Sequence, residues 1–193
     1  MARTRGRPRS ATARTAILDA TVQLVTRDGN RVTIDAIAAA AGVGKQTIYR
    51  WWKGRAEIMA EAIAEMLVQR VTTPDKGSLR ADLAFFLAAT FAVGPRSKAI
   101  SALLRGLMVE SQLDPSFHVQ FRSRLIEPRR AVLRTIFQRA AMRGDLRRDF
   151  DIDLGIDIAF GVLWYRLLVR NAPLDRKAAA AIADAIARAA MQS

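Results

Sequence analysis

Two short apolar segments separated by a glycine, within residues 33–59 (TIDAIAAAAGVGKQTIYRWWKGRAEIM), constrain the fold more than any other feature. Thr33 is a typical helix cap, and the apolar residues after it recur at helical spacing up to Ala41. Gly42 ends this segment, because glycine adopts the left-handed conformation that helix ends favour. A second short helix is expected at 45–51, and the small alanines of the first let the two cross closely. The pattern predicts two packed helices joined by a tight turn.

The rest of the chain has helical periodicity, with no β-branched alternation and no Asn-Gly hairpin. We expect a first helix at 11–27 and a fourth at 55–70. Five more follow, near 79–92, 98–112, 115–143, 153–170 and 175–191. Asp114 and Pro115 form a helix start signal, and Pro128 should kink the helix that contains it. The sequence therefore predicts an all-α protein of nine helices.

The segment 72–78 (TTPDKGS) combines proline, glycine, serine and charge, which is typical of a linker. It divides the chain into a basic N-terminal arm at 1–10, a small helical domain at 11–71 that includes the fourth helix, and a larger helical domain at 72–193. The positive charge is uneven between these parts. Of the net charge of +13, residues 1–55 contribute 11 lysines and arginines against 3 aspartates. A polyanion is the expected partner of this region, although charge alone also fits a merely soluble protein.

The second short helix has donor-rich residues on its outer face. Val43, Ile48 and Trp52 are expected to bury it against the first helix. The residues left outward are Lys45, Gln46, Thr47, Tyr49 and Arg50. A polar face at a helix N-terminus is typical of the recognition helix of a helix-turn-helix, which enters the major groove. The alternative is a solvated polar face on a small helical bundle.

This segment resembles the DNA-binding domain of the TetR family of bacterial regulators. The resemblance rests on Thr33, Ile-Ala, Ala-Gly-Val, a small residue, Lys45, and the run Thr-Ile-Tyr-Arg followed by two aromatic positions. Arg55 stands where the family has a basic residue, and Ile17–Ala20 and Gly29 match the first helix and its end. The resemblance implies a repressor that binds a double-stranded DNA operator as a homodimer and is released by a small-molecule effector. It also implies that residues 72–193 form a ligand-binding and dimerisation domain.

This chain departs from the family pattern at three positions. Gly44 replaces the frequent Ser or Thr, so the recognition helix lacks a hydroxyl cap. Trp51 and Trp52 replace the frequent His-Phe pair. Trp52 is expected to take the core role of the phenylalanine, whereas packing and DNA-backbone contact remain equal alternatives for Trp51.

Each residue of the expected DNA-binding set can be given a role. Lys45 and Gln46 are the candidates for base-edge contacts, because lysine pairs with guanine and glutamine pairs bidentately with adenine. Thr47 is expected at a thymine methyl or a phosphate, and Tyr49 at a phosphate. The remaining members are the phosphate clamps and the residues around the helix starts: Thr33, Gly44, Arg50, Trp51, Lys53 and Arg55.

The N-terminal arm contains the run Arg5-Gly6-Arg7-Pro8, which resembles the Arg-Gly-Arg-Pro core of the AT-hook. Pro8 favours an extended chain, and Arg5 and Arg7 would then reach into a narrow A·T-rich minor groove. A basic tail that binds phosphates without preference is the alternative.

The larger domain carries the expected dimer interface and ligand site. The helix at 153–170 is apolar on nearly all sides, and the helix at 175–191 has a stripe of small residues. A four-helix dimer interface would cover both, whereas a monomeric bundle is the alternative. The interface residues are expected to be Phe160, Trp164, Leu167, Leu168, Ile182, Ala185, Ile186 and Ala189. The resemblance implies a ligand site lined by Phe86, Leu104, Met108, Phe121, Leu125 and Trp164, although plain core explains each of them as well.

The sequence lacks the signatures of other classes. It has no Gly-rich phosphate loop, no nucleophile elbow and no cluster of histidine with carboxylates, so we expect neither an enzyme, nor a cofactor, nor a metal site. The absence of cysteine fits a cytoplasmic protein, and neither a signal peptide nor a membrane partner is expected. An architectural DNA-binding protein is the main alternative, but it would not need a large apolar second domain.

Overall fold

The structure, a computed structural model, describes residues 7–68, 73–91 and 97–191, and within these residues all regular structure is helical. Two compact units form, Met1–Met66 with Lys98–Leu125, and Leu67–Ser97 with Ile126–Ser193. The first contains α1 (Arg7–Asp28), α2 (Ile34–Ala41), α3 (Lys45–Tyr49), α4 (Arg55–Val68), α6 (Ser97–Leu113) and α7 (Pro115–Phe121). The second contains α5 (Leu79–Phe91), α8 (Glu127–Met142), α9 (Ile152–Val169) and α10 (Arg176–Ala190).

Side chains that are fully buried on α1, α2, α3 and α4 form the core of the first unit. They include Ile17, Val25, Ile37, Ile48, Ile58 and Ile63. α1 packs against α2, and α2 against α3. The close crossing of the two short helices is therefore confirmed.

The second unit is a helical bundle in which α5 and α10 lie along each other and α8 contacts both α5 and α9. Its core contains Leu83, Phe86, Leu133, Phe137, Ile156 and Ile182. Gly155 lets α9 approach closely, because a Cβ there would lie 2.9 Å from ring atoms of both Phe137 and Phe150. Those two rings stack with centroids 5.6 Å apart, so the start of α9 is fixed against α8.

The predicted helix at 115–143 forms as one run interrupted by a π-helical turn, Arg122–Ile126. Asp114 caps its start by accepting from the N–H groups of Ser116 and Phe117, at 2.8 and 3.2 Å, which confirms the start signal. These hydrogen bonds hold the pKa of Asp114 below its usual value. The interruption immediately precedes Pro128, which has no N–H to bond to the previous turn. Counted as one run, Pro115–Met142 completes the nine helices expected, within the described residues.

Two boundaries differ from the prediction. α1 begins at Arg7, within the segment expected to be an extended arm, because proline is tolerated in the first turn of a helix. The compact units group α6 and α7 with the N-terminal helices, whereas a domain boundary at residue 72 would separate them. Residues 73–78 of the predicted linker are non-helical and lead into α5, whereas residue 72 lies outside the described residues.

Candidate DNA-binding surface

The helix-turn-helix is built by local capping. Thr33 accepts from the N–H of Ala36 at 3.2 Å and so starts α2. Gly42 has a φ of 65°, in the left-handed region, and the N–H of Val43 donates to the carbonyl of Ala38 at 3.0 Å. This turn directs α3 across α2, and Ile48 and Trp52 anchor α3 in the core.

The outer face of α3 carries the side chains expected to contact DNA. Lys45, Gln46, Tyr49 and Arg50 are exposed, and Thr47 is half-buried. Gly44 caps α3 in an extended conformation without a side-chain hydrogen bond, which agrees with its lack of a hydroxyl. The structure therefore brings most of the predicted set to one surface, at the N-terminal end of the recognition helix.

Lys45 has a partner that the sequence did not indicate. Its Nζ lies 2.5 Å from Oδ1 of Asp35, an exposed residue in the first turn of α2. The hydrogen bond to this carboxylate raises the pKa of Lys45, so its ammonium stays charged. Asp35 therefore competes with any DNA group for Lys45.

The two tryptophans have different environments. Trp52 is buried, and its Nε1–H donates to Oε2 of Glu61 at 3.0 Å, which confirms its core role. Trp51 is 40% exposed and stands beside Trp52, with ring centroids 6.4 Å apart. This exposure leaves the ring of Trp51 accessible for contact with a DNA backbone.

Glu61 on α4 is a buried carboxylate with three partners from different parts of the first unit. Besides Trp52, it forms ion pairs with Arg14 of α1 and with Arg124 of the π-helical turn. Arg14 also lies over the ring of Trp52, 6.0 Å from its centroid. A buried charge is costly unless it is paired and hydrogen-bonded, and here every partner is supplied by the protein. Glu61 thus fixes the anchor of α3 to α1, α4 and the π-helical turn.

A second acid of α4, Glu57, also makes two connections. Its Oε2 accepts from the backbone N–H of Lys53 at 2.9 Å, and its Oε1 accepts from Nε2 of Gln120 on α7 at 2.9 Å. The first bond supports the turn between α3 and α4. The Lys53 side chain remains exposed, as a phosphate contact requires.

Arg55 makes contacts within the protein that the sequence did not indicate. Its Nη1 donates to the carbonyls of Asn30 and Val32, at 2.6 and 3.2 Å, and so ties α4 to the segment between α1 and α2. The Asn30 side chain also fills the space beside Gly106 of α6, where an added Cβ would lie 2.6 Å from its amide nitrogen. These two hydrogen bonds position the start of α4. Because both are made by Nη1, the phosphate contact of Arg55 stays a prediction.

Most of the expected N-terminal arm lies outside the described residues. Arg5 lies outside the described residues, and Arg7 forms the first helical residue of α1. The minor-groove contact of the two arginines stays a prediction.

The structure distributes the expected ligand-site residues over both compact units. Leu104, Met108, Phe121 and Leu125 belong to the first, and Phe86 and Trp164 to the second. Within the first, Phe121 and Leu125 are buried. Within the second, Phe86 packs edge-on against Phe160, with centroids 6.5 Å apart.

The expected interface residues separate into buried and exposed sets. Leu167, Ile182 and Ile186 are buried within their own chain. Leu168, Ala185 and Ala189 are exposed, and Phe160 and Trp164 are half-buried. α9 has an outer apolar face that the sequence did not separate from its inner one, and its exposed members are Leu154, Ile158, Tyr165 and Leu168.

Several residues of the site were missed from the sequence, chiefly Asp35, Glu61, Arg14 and Arg124. Of these residues, only Glu61 could have been found from the sequence, because it is an acidic residue within the largely apolar α4. Across the described part of the chain, no helix is long and apolar enough to cross a membrane, and no cluster of three metal-ligating side chains forms. The aspartates at the start of α9 have structural contacts: Asp151 caps the helix, and Asp153 and Asp157 form ion pairs with arginines of α8.

Comparisons with known proteins agree with this geometry. The family model for bacterial regulatory proteins of the tetR family matches residues 17–62, and the model for the tetracyclin repressor-like C-terminal domain matches residues 73–186. YdeS, an uncharacterized HTH-type transcriptional regulator of Bacillus subtilis, is 32% identical over 166 residues, which cover 86% of this chain and 83% of YdeS. The DNA-binding transcriptional repressor TetR of Mycobacteroides abscessus is 31% identical over 89% of this chain and 87% of its own length. The crystal structure of the TetR family regulator SCO0332 superposes with a TM-score of 0.80 at 25% identity, over 93% of this chain and 99% of that chain.

Proposed function

Since the chain belongs to the TetR family of bacterial transcriptional regulators, we propose that it is a homodimeric repressor that a small molecule releases from a specific operator. Family membership makes it a DNA-binding regulator rather than an enzyme. The observation that carries the proposal is the exposed polar face of α3, set on the buried side chains of Ile48 and Trp52. A regulator of this kind acts where the DNA is, so we place it in the cytoplasm.

Lys45 and Gln46 supply the specificity in this proposal. Both are exposed at the N-terminal end of α3, the end that contacts base edges in a helix-turn-helix. Tyr49, Arg50 and Lys53 supply affinity through phosphates, with Thr47 and Trp51 beside them. Thr33 and Gly44 contribute through the helix starts that they form, where backbone N–H groups favour a phosphate.

The dimer forms through the outer faces of α9 and α10. Leu154, Ile158, Tyr165 and Leu168 follow one another at intervals that keep them on one side of α9. On α10, Ala185 and Ala189 are exposed and small, which allows close helix packing. Ile182 and Ile186 are buried in their own chain, so this interface replaces the one expected from sequence at those two residues.

The two acids of α4 connect the recognition helix to the rest of the first unit. Glu57 contacts both Lys53 and Gln120, and Glu61 contacts both Trp52 and Arg124. A shift of α7 or of the π-helical turn would therefore displace the anchors of α3. This is the route by which an effector lowers affinity for DNA in our proposal.

Analytical ultracentrifugation of the protein, free and on a DNA site that it has selected from a random pool, tests the dimer and the operator together. We expect a dimer at micromolar concentration and two chains on a pseudo-palindromic site. A monomer that binds each half-site independently would contradict the dimer, and selection of no common sequence would contradict the operator.

A further inference from the structure

Arg129 occupies a position on α8 where the helix is otherwise apolar and buried. Leu133, Ile136, Phe137 and Ala140 form the buried stripe of α8, and Arg129 precedes Leu133 by one turn, on the same side. Its side chain is partly buried in the second compact unit. A guanidinium is thus placed at the end of a core stripe.

The only hydrogen bond that Arg129 makes to a described residue is to a neutral group. Its Nη1 donates to Oγ1 of Thr90, on the last turn of α5, at 3.0 Å. The neighbouring aspartates of α9 form ion pairs with other arginines of α8. Asp153 pairs with Arg130 and Arg134, and Asp157 pairs with Arg130. No described carboxylate lies within ion-pair distance of Arg129, and the segments outside the described residues contain no Asp or Glu.

Electrostatics agrees with this geometry. Burial lowers the pKa of Arg129 to about 10, with no opposing effect of an acid, whereas the pKa of Arg134 is raised by its hydrogen bond to Asp153. The Arg129 guanidinium is still charged at neutral pH. A partly buried charge without a counter-charge is less well solvated than one in water, so an oxyanion supplied from outside would bind there favourably.

The surroundings of Arg129 and Thr90 are apolar. Phe86 precedes Thr90 by one turn of α5 and packs against Phe160 of α9, and Phe91 follows it and is buried. Val132 and Leu133 follow Arg129 on α8 and belong to the same apolar cluster. A molecule held at this arginine would therefore have an apolar body.

We infer that Arg129 and Thr90 form the polar end of a binding site for a small organic carboxylate with an apolar body. The inference rests on the proposed function, since this carboxylate would be the effector. The planar guanidinium pairs with both oxygens of a carboxylate, a geometry that few other groups match. The Thr90 hydroxyl accepts from Arg129 and still has its own proton to donate to the bound anion.

Matched pairs of small molecules test this inference on the full-length protein. Octanoate and benzoate are compared with octanamide and benzamide, which keep the apolar body and lose the charge. Scanning fluorimetry should show that the acids raise the Tm of the wild type with increasing concentration and that the amides do not. Titration calorimetry should show that Arg129→Met lowers the affinity for the better acid by about tenfold or more.

Arg130→Met is the matched control, because it removes the adjacent arginine, whose partners are Asp153 and Asp157, and should keep the response to acids. The Tm without ligand supplies a second readout. Arg129→Met should equal or exceed the wild type, because it removes a charge that lacks a counter-charge. A lower Tm would instead mean that Arg129 serves only to stabilise the end of α5, and would overturn the inference.

Equal stabilisation by acids and amides, no stabilisation of the wild type by either acid, or an unchanged response in Arg129→Met would each overturn the inference. DNA selection is carried out on the same wild-type preparation. A protein that selects a common DNA sequence but does not respond to acids refutes the carboxylate site alone. A protein that selects no sequence refutes the proposed repressor, whatever its response to acids.

Discussion

The outer face of α3 and the outer face of α9 both remain on the surface of a single chain, but their chemistry is opposite. α3 presents ammonium, guanidinium, amide and hydroxyl groups over a buried Ile48 and Trp52. α9 presents Leu154, Ile158 and Tyr165, which are between 44% and 56% exposed. The first face suits a polyanion, and the second suits a like apolar surface. In the function that we propose, one face of the chain therefore binds DNA and the other binds a second copy of the chain.

The largest expected effect concerns the apolar face. Ile158→Arg should raise the dimer dissociation constant by roughly 100-fold or more, because it places an unpaired charge at the centre of an apolar interface. Sedimentation as a function of concentration measures this, and operator affinity should fall with the loss of dimer. Met142→Arg, at an 80% exposed methionine at the end of α8, is the control for adding an arginine. Equal dimerisation of both variants would remove α9 from the interface.

The next largest effect concerns Glu61, which holds the buried Trp52 beneath the polar face of α3. Glu61→Ala should lower the free energy of unfolding by about 2 kcal/mol, because it leaves the buried Trp52 N–H without an acceptor and removes two ion pairs. Urea unfolding measures the loss. Glu65→Ala removes an acid that is 51% exposed and 3.5 Å from Arg14, and should cost well under about 1 kcal/mol. A similar loss in both variants would mean that the Glu61 cluster contributes no more than a surface pair.

The smallest effect concerns the charge beside Lys45. Asp35→Asn should tighten binding to the selected DNA by up to about fivefold, and binding to random DNA by less, since an exposed ion pair contributes about 0.2–1 kcal/mol and its loss frees Lys45 for a base edge. Fluorescence anisotropy at several salt concentrations measures this change. Asp19→Asn, an exposed position on α1, makes the same change in net charge. If the Asp19 variant tightens binding as much, the effect is one of net charge and not of Lys45.

The sequence predicted the α3 face well because its determinants are local. The cap at Thr33, the left-handed Gly42 and the buried Ile48 and Trp52 all lie within one short segment. Each acts on residues a few positions away, so spacing alone was enough to place Lys45, Gln46 and Tyr49 outward. The hydrogen bonds of Arg55 could not be predicted in this way, because the carbonyls that it contacts, at Asn30 and Val32, lie more than twenty residues earlier.

The α9 face was harder to predict because the helix is apolar on both sides. Periodicity cannot tell which side of a helix packs within its own chain when both sides are hydrophobic, so it could not show that Leu167 is buried and Leu154 exposed. Periodicity is equally unable to show which charged side chains form ion pairs. Nothing local distinguishes Arg129, with one neutral partner, from Arg130, with two carboxylates, because those partners come from α5 and α9.

Binding of Gln46→Ala to DNA tests most directly the central claim, that the outer face of α3 recognises a specific sequence. The comparison uses the DNA selected by the wild type, single-base variants of it and random DNA, all at one salt concentration. We expect a loss of about 1–3 kcal/mol on the selected DNA, confined to one base position in each half-site, with binding to random DNA unchanged. Equal losses on selected and random DNA would show that Gln46 does not contact a base edge and would contradict the claim.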